Sequence, residues 1–372
     1  MSAARAGDWQ AARNVLCVRL DSVGDVLMTT PAIRALRDAV PGRRITLLTS
    51  AVGALIAPLV PEIDAVLAFD APWMKSTGRQ PTDDAALIRA LADGGFDAAV
   101  IFTVYSQNPL PAAYLTYLAG IPRRLAHCRE NPYQLLTDWV PETEPAGQIR
   151  HEVRRQLDLV AAVGGRTADE RMSLAVPEAA RQRVARLFDQ HGLAAGAPCV
   201  LVHPGASAPS RRYPAEGFAA AAAALAEQGC AVAFTGSGPD ELALVERIRQ
   251  AMGAASVSLA GELDLAEMAA AVAAADVLIV NNTGPAHMAA ALGTPVVDLY
   301  ALTNPQHTPW QVPSRVLSFD VPCRNCYKSV CPVGHHDCLR RVEPQQVVAA
   351  AGELLRERGR PAPRPGASPC TR

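Results

Sequence analysis

The sequence predicts an α/β fold built from two doubly wound halves, and three observations carry that reading. Short apolar runs alternate with helical patterns along the whole chain, which argues for parallel sheets with helices on both faces. The alternation stops and restarts once, near residues 176–198, where Pro177 and the turn Gly196-Ala197-Pro198 bracket a connecting helix. A length of 372 residues fits two domains.

Taken in order, the strand-like runs of the first half are residues 15–20, 44–49, 65–69, 97–102 and 124–127. Helical stretches lie between them at 26–39, 51–59, 83–93 and 111–119, and a charged helix at 149–163 ends at Gly164-Gly165. In the second half the strands are 200–202, 231–235, 256–259, 277–280 and 296–299. The helices among them, 215–228, 240–252, 265–274 and 285–292, are alanine-rich. Two Rossmann-like halves facing a central cleft are the economical arrangement. The N-terminal domain then spans 13–180 and the C-terminal domain 181–342. A last helix, 343–358, is expected to pack back on the first half, and the proline-rich tail 359–372 to be disordered.

Hydrophobic residues make up 49% of the chain and charged residues 19%, enough for two cores. A formal net charge of -1 lacks the basic excess of a nucleic-acid binder. No uncharged apolar run reaches the roughly 18 residues of a membrane span, and residues 1–12 hold Arg5 and Asp8 but no apolar signal core. A cytoplasmic location is the expectation, so the nine cysteines are read as reduced thiols or metal ligands.

The turn after the first strand reads Arg19-Leu20-Asp21-Ser22-Val23-Gly24-Asp25. Ligands of open α/β sheets bind beyond the carboxyl ends of the strands, so Asp25 is a carboxylate placed for chemistry. The turn lacks the glycines that admit a dinucleotide pyrophosphate. Three further strand ends fall in the second half. Asn281-Asn282-Thr283-Gly284-Pro285-Ala286-His287 opens a helix whose free N–H groups and dipole suit an anion, with His287 one turn after Thr283. A capped helix with a core histidine is the competing reading. His203-Pro204-Gly205-Ala206-Ser207 leads to Arg211-Arg212, able to neutralise a pyrophosphate or simply solvated. Thr235-Gly236-Ser237-Gly238-Pro239-Asp240-Glu241 offers carboxylates to ribose hydroxyls, or an acidic first helical turn. The three strand ends of one domain converge on one crevice.

These segments resemble glycosyltransferase family 9, the ADP-heptose:lipopolysaccharide heptosyltransferases, which have the GT-B fold. The marks are Ser-Val-Gly-Asp-Val with Thr-Pro-Ala after it, His-Pro-Gly-Ala, and Asn-Thr-Gly-Pro-Ala-His. The resemblance implies that Asp25 is the general base and that Arg211 steadies the leaving diphosphate, with Ser207 beside it. It implies that Glu241 holds the ribose, Leu263 flanks the adenine, and Asn282, Thr283, Gly284 and His287 contact the donor's sugar and phosphates. Many relatives carry aspartate where Asn282 stands. The implied reaction is inverting transfer of a heptose to a sugar hydroxyl of the lipopolysaccharide inner core. Another acceptor (an autotransporter protein or a capsular glycan) or another nucleotide sugar would use the same machinery. Catalysis would need no cofactor. Peripheral contact with the inner membrane's cytoplasmic face would follow from a lipid-linked acceptor.

Cys323, Cys326, Cys331 and Cys338 lie close together with His335 and His336 among them. Such a set suggests a structural zinc or iron site, or a loop of reduced thiols; by resemblance to autotransporter heptosyltransferases, iron is open. Cys17, Cys128, Cys199 and Cys230 read as core residues, and Cys370 stands apart in the tail. On the acceptor side, residues 102–109 end a strand, and Arg123, Arg124 and Arg129, with Arg150, Arg154 and Arg155, could meet acceptor anions or be solvated. A nicotinamide dehydrogenase is disfavoured by the missing glycine turn. A purely metal- or redox-binding protein leaves the acid and the anion site unexplained.

Overall fold

The structure is a computed structural model, and it describes residues 9–74, 84–193 and 196–360. The chain divides into two compact units, Met1–Ala175 and Val176–Arg372.

The first unit alternates β1 (Asn14–Arg19), α1 (Val23–Ala39), β2 (Arg44–Thr49), β3 (Ala65–Ala68), α2 (Asp84–Asp93), β4 (Ala98–Ile101), α3 (Leu110–Leu118), β5 (Arg123–Cys128), β6 (Asp138–Pro141) and α4 (Glu152–Ala161). Its six strands run in the order β3-β2-β1-β4-β5-β6, and every pairing is parallel. The order reverses direction between β1 and β4, the point where such sheets open a crevice. One core joins Leu16, Val18, Leu48 and Ile101 to Leu91 of α2 and Ala113 of α3. Each fully buried aliphatic side chain of this kind stabilises by roughly 1.5–3 kcal/mol.

Helix α1 carries Pro31 in its interior. Proline removes the N–H that would reach the carbonyl of Leu27, and the Thr30 hydroxyl donates to that oxygen instead, at 2.7 Å. The helix therefore continues, and α4 packs against it.

The second unit opens with α5 (Glu178–Gln190), followed by β7 (Cys199–His203), α6 (Ala215–Glu227), β8 (Ala231–Phe234), α7 (Gly238–Met252), β9 (Val257–Ser258), α8 (Leu265–Ala274), β10 (Val277–Asn281), α9 (Gly284–Leu292), β11 (Val296–Leu299), β12 (Ser314–Leu317), α10 (Asp337–Arg340) and α11 (Pro344–Glu357). Its strand order, β12-β11-β10-β7-β8-β9, is again wholly parallel. The reversal falls between β7 and β10. The sequence expectation of an α/β fold with two Rossmann-like sheets holds.

Two expectations are corrected. Residues 51–59 form two short 3-10 turns, Gly53–Leu55 and Ala57–Leu59, because Pro58 has no N–H to continue a helix. The edge strands β6 and β12 escaped the sequence reading; β6 ends at Pro141, which an edge strand tolerates. Helix α11 belongs to the second unit. Its stripe Val347, Ala351, Leu354 and Leu355 is buried in the second core with Val200, Phe218 and Phe234. Beyond it, Arg358 donates to the carbonyls of Ala275 and Asp276, and Arg360 pairs with Asp276 at 2.8 Å. The tail expected to be disordered thus begins as placed chain, and residues 361–372, with Cys370, lie outside the described residues.

Candidate active site

At the carboxyl end of β1, Arg19 is wholly buried and faces three carboxylates. Nε lies 2.9 Å from Asp21, one terminal nitrogen 3.0 Å from Asp25 and the other 2.7 Å from Glu152. Burial works against the charge on Arg19, but Asp21, Glu152 and Asp25 more than offset it and raise its pKa. Glu152 is itself fully buried and comes from the first turn of α4. Asp25 stands in the first turn of α1, where Ser22 donates to its second oxygen from the backbone N–H at 3.1 Å and from the hydroxyl at 2.7 Å. These bonds fix the carboxylate's orientation while its side chain stays 17% exposed. Asp21 accepts a 2.6 Å bond from Gln107. Burial pushes the Asp21 carboxyl up to about 6, Arg19 opposes that rise and Asp25 adds to it.

Beside Asp21 a cavity of about 270 Å³ opens at the β1/β4 reversal, between Trp73, Phe102, Thr103, Gln107 and Asn108. The segment 102–109 therefore lies where the sequence reading put it. The arginines do not all follow. Arg124 is buried at the start of β5 and donates to the carbonyls of Ile121, Gln134 and Leu135, and its guanidinium stacks on Tyr117. Arg123 donates to the carbonyl of Asp97. Both sit at the amino end of the strand, opposite the crevice, and their expected acceptor role is corrected. Arg129, one residue past β5, donates to the carbonyls of Tyr105 and Glu144 and lines a smaller neighbouring cavity with His127 and Glu142. Arg155 pairs with Glu142 at 2.5 Å, Arg150 with Glu144 and Asp158, and Arg154 with Glu170.

In the second unit, Asn281 joins the two strands at the reversal. Its amide donates to the Pro204 carbonyl at 2.8 Å and accepts from the Tyr213 N–H at 3.0 Å. Gly205 leaves room for Glu241 here, since a Cβ on it would lie 2.1 Å from a carboxylate oxygen of Glu241 and displace that carboxylate. Glu241 is held from the other side by the Ser237 N–H at 2.7 Å. The loops after β7 and β8 thus close on one carboxylate. Leu263 lies half-buried just before α8, in the loop that Gly261 ties to the Gly236 carbonyl.

Thr283 is the residue before α9, but its hydroxyl donates to the Asn281 carbonyl and does not cap the helix. Among the described residues no side chain caps the first-turn N–H groups at Gly284. Asn282 is buried, and His287 is buried with its ring 6.4 Å from that of His307. Ser207 is exposed. Arg211 ends a short 3-10 turn, half-buried. Its charge is felt by Asp298, a wholly buried carboxyl in β11 that burial raises well above the usual range. Among the described residues neither oxygen of Asp298 has a hydrogen-bond partner.

Sequence reasoning missed Arg19, Glu152, Asn281 and Asp298. Asp298 was visible as one acid within an otherwise apolar strand, and Asn281 as a polar residue closing another. Glu152 carried no local signal, because only the fold brings α4 under β1.

The cysteine-rich loop packs beside Arg211. Ser210 donates from its N–H to the Ser329 carbonyl at 3.0 Å and from its hydroxyl to the Lys328 carbonyl at 2.8 Å. Cys323, Cys326 and Cys331 all act electrostatically on Cys338, and four thiols suit zinc or iron chemically. The expected ligand set is nevertheless not assembled, since among the described residues no group of three or more His, Cys, Asp or Glu side chains is arranged for a metal. The Cys323 sulfur lies 3.7 Å from His335 Nε2. At Cys331, burial raises the thiol, but the N–H groups of His336, Val333, Gly334 and His335 outweigh it and favour the thiolate. Cys17, Cys128, Cys199 and Cys230 are buried, as expected. Among the described residues no helix is long and apolar enough to cross a membrane.

Comparison with known proteins adds the family. Residues 85–336 match the sequence model of glycosyltransferase family 9 (heptosyltransferase). A family 9 glycosyltransferase from Veillonella parvula shares the fold at a TM-score of 0.77 and 23% identity, over 94% of this chain and 99% of that one. The E. coli ADP-heptose lipopolysaccharide heptosyltransferase II does so at 0.72 and 24%, over 93% and 99%. A Campylobacter jejuni lipooligosaccharide heptosyltransferase 2 is 33% identical over 52 residues, a stretch spanning 14% of this chain and only 16% of that relative. The two sheets have the architecture of GT-B glycosyltransferases. The chain is a glycosyltransferase and belongs to family 9, the heptosyltransferases.

Proposed function

We propose that the protein transfers a heptose, with inversion, from ADP-heptose to a sugar hydroxyl of the lipopolysaccharide inner core. The observation that carries this reading is Asp25, oriented by Arg19 and Ser22 at the strand reversal, where the neighbouring Asp21 lines a cavity. Asp25 takes the proton of the acceptor hydroxyl as its oxygen bonds to the anomeric carbon. The bond from that carbon to the diphosphate breaks, and its electron pair leaves with ADP. Arg211 and the uncapped start of α9 neutralise the charge that grows there, which is stabilisation realised mainly in the transition state. Glu241, in the carboxylate niche beside Gly205, accepts hydrogen bonds from the ribose. Ser207, Asn282, Thr283, His287 and Leu263 complete the donor site in this reading. No step passes through a metal.

The name of the E. coli relative and the short lipooligosaccharide match support the donor and acceptor named here. A cytoplasmic enzyme meeting a lipid-linked acceptor at the inner membrane is part of the proposal. The test is a donor screen, with ADP-heptose, UDP-sugars and GDP-sugars each supplied with a core-oligosaccharide acceptor and nucleotide release measured. Release from ADP-heptose alone supports the reading, and preference for a UDP- or GDP-sugar overturns the donor assignment.

A further inference from the structure

We infer that Lys328 is a second cation of the donor site and binds, with Arg211, the diphosphate that leaves with the nucleotide. The inference rests on the reading that the second unit takes a nucleotide-sugar donor, and adds a residue to that site. Lys328 lies on a strap, residues 325–329, that is tied on two sides. On one side the N–H of Asn325 donates to the Leu302 carbonyl at 2.6 Å and that of Tyr327 to the Thr303 carbonyl at 2.8 Å, in the loop after β11. On the other side the Lys328 carbonyl accepts from the Ser210 hydroxyl at 2.8 Å and the Ser329 carbonyl from the Ser210 N–H at 3.0 Å. Ser210 is buried, follows β7 and immediately precedes Arg211. In the sheet order β10 stands between β11 and β7. The strap therefore links the loops on either side of the strand whose end opens α9 at Gly284. Its path is strained: Asn325 and Tyr327 take left-handed φ values of 59° and 54°, a region that a bulky side chain rarely enters. Such conformations persist where the surroundings over-determine them, and they cluster at ligand sites.

The strap brings its cation to another that lacks a counter-charge. Lys328 is exposed, and among the described residues neither its ammonium nor the Arg211 guanidinium has an ion-pair or hydrogen-bond partner. The other residues of this unit, 194–195 and 361–372, contain no aspartate or glutamate to supply one. The acids flanking the strap along the chain are engaged: Asp320 pairs with Arg324 at 3.1 Å, and Asp337 faces His335 at 3.6 Å. Burial favours the protonated, uncharged form of Asp298 beside Arg211. A diphosphate carries more negative charge than one guanidinium and a helix start can match, and it grows more negative as the bond to the sugar breaks. Lysine suits the second position, because a compact ammonium on a flexible four-carbon stem follows a phosphate as a point charge. The chain otherwise draws its cations from arginine, with Lys75 and Lys328 its only lysines.

The test reads binding, so that it does not depend on transfer. Calorimetry of the full chain is run with ADP, UDP and GDP and with the three corresponding nucleosides. Lys328→Met keeps the stem and the carbonyl that holds Ser210 but removes the charge. For the diphosphate that binds most tightly, Lys328→Met is expected to raise Kd at least about tenfold, the size of one lost hydrogen bond to a charged group. The Kd of its nucleoside is expected to change by less than about twofold. Lys328→Arg, which restores a cation, is expected to return the diphosphate Kd to within about threefold of the unchanged protein. An equal loss for diphosphate and nucleoside would mark a structural role and overturn the inference, as would an unchanged diphosphate Kd in Lys328→Met or a failure of Lys328→Arg to recover it. The identity of the preferred base reports separately on the proposed function. A protein that prefers UDP or GDP but loses that affinity in Lys328→Met refutes only the donor assignment, and one that prefers ADP without needing Lys328 refutes only this inference. A protein that binds no diphosphate overturns both.

Discussion

Replacing Asp25 with asparagine tests the reading at its centre, because the expected losses in rate and in stability differ widely. A positioned general base contributes about 10²–10⁴-fold, which at 1.36 kcal/mol per decade is about 2.7–5.4 kcal/mol of transition-state stabilisation. The cost to the fold is smaller. Asp25→Asn removes one charged acceptor from Arg19, but Asp21 at 2.9 Å and Glu152 at 2.7 Å remain. The buried guanidinium thus goes from three carboxylates to two and is never left without a counter-charge. The asparagine oxygen can still accept from the Ser22 N–H. One weakened hydrogen bond to a charged group is worth about 1–2 kcal/mol, a melting shift of about 2–4 °C per kcal/mol for a unit of this size. Release of ADP from donor plus acceptor, measured beside a thermal melt, separates the two quantities. Turnover within about threefold of the unchanged protein would refute Asp25 as the base. Asp21→Asn is the matched control, since Asp21 lies as close to Arg19. Loss of turnover in that variant alone would move the base to Asp21.

Other outcomes follow from single contacts. Gly205→Ala places a methyl group 2.1 Å from the Glu241 carboxylate as it now stands, so Glu241 must move; calorimetric donor affinity is expected to fall at least about tenfold with little change in melting temperature. Asp298 has a folded pKa raised by burial, so its contribution to stability is fully present below the unfolded value of about 3.9 and is lost as pH rises towards the folded pKa; Asp298→Asn should therefore raise the melting temperature more at pH 8 than at pH 4, and an equal shift at both would contradict a neutral Asp298. Ser210→Ala removes the hydroxyl bond to the Lys328 carbonyl, at about 1 kcal/mol; if that loop positions Arg211, kcat falls with the acceptor KM unchanged.

What could be read from the sequence is what depends on neighbours along the chain. The apolar runs at β1, β2 and β11 announced themselves because strands covered on both faces are continuously hydrophobic, and the turns carrying Asp25, Gly205 and Gly284 stood out because each closes such a run. The edge strands β6 and β12 lacked that signal: they are covered on fewer sides, so residues such as Pro141 and Ser314 are admitted. The same locality explains the acceptor arginines. Arg123 and Arg124 looked available as adjacent cations, yet a strand has two ends, and these residues begin β5 while the crevice lies where it finishes. Arg19 shows the limit most sharply. It reads as the one charged residue inside the apolar run 15–20, a position normally reserved for a side chain that can be covered without charge. Only the arrival of Glu152, 133 positions later, makes burial of that guanidinium tolerable. With Glu152, Asp21 and Asp25 around it, a buried cation becomes the anchor for two carboxylates, one of which, Asp21, lines the cavity. A strand of this kind with an uncharged end could hold the fold equally well. The buried charge is therefore better accounted for by the carboxylate it positions than by the stability it brings, since buried ion pairs seldom exceed hydrophobic replacements in stability. Arg19→Met together with Glu152→Met should accordingly keep a folded unit and lose turnover; a folded double variant with full activity would show that Asp25 needs no anchor.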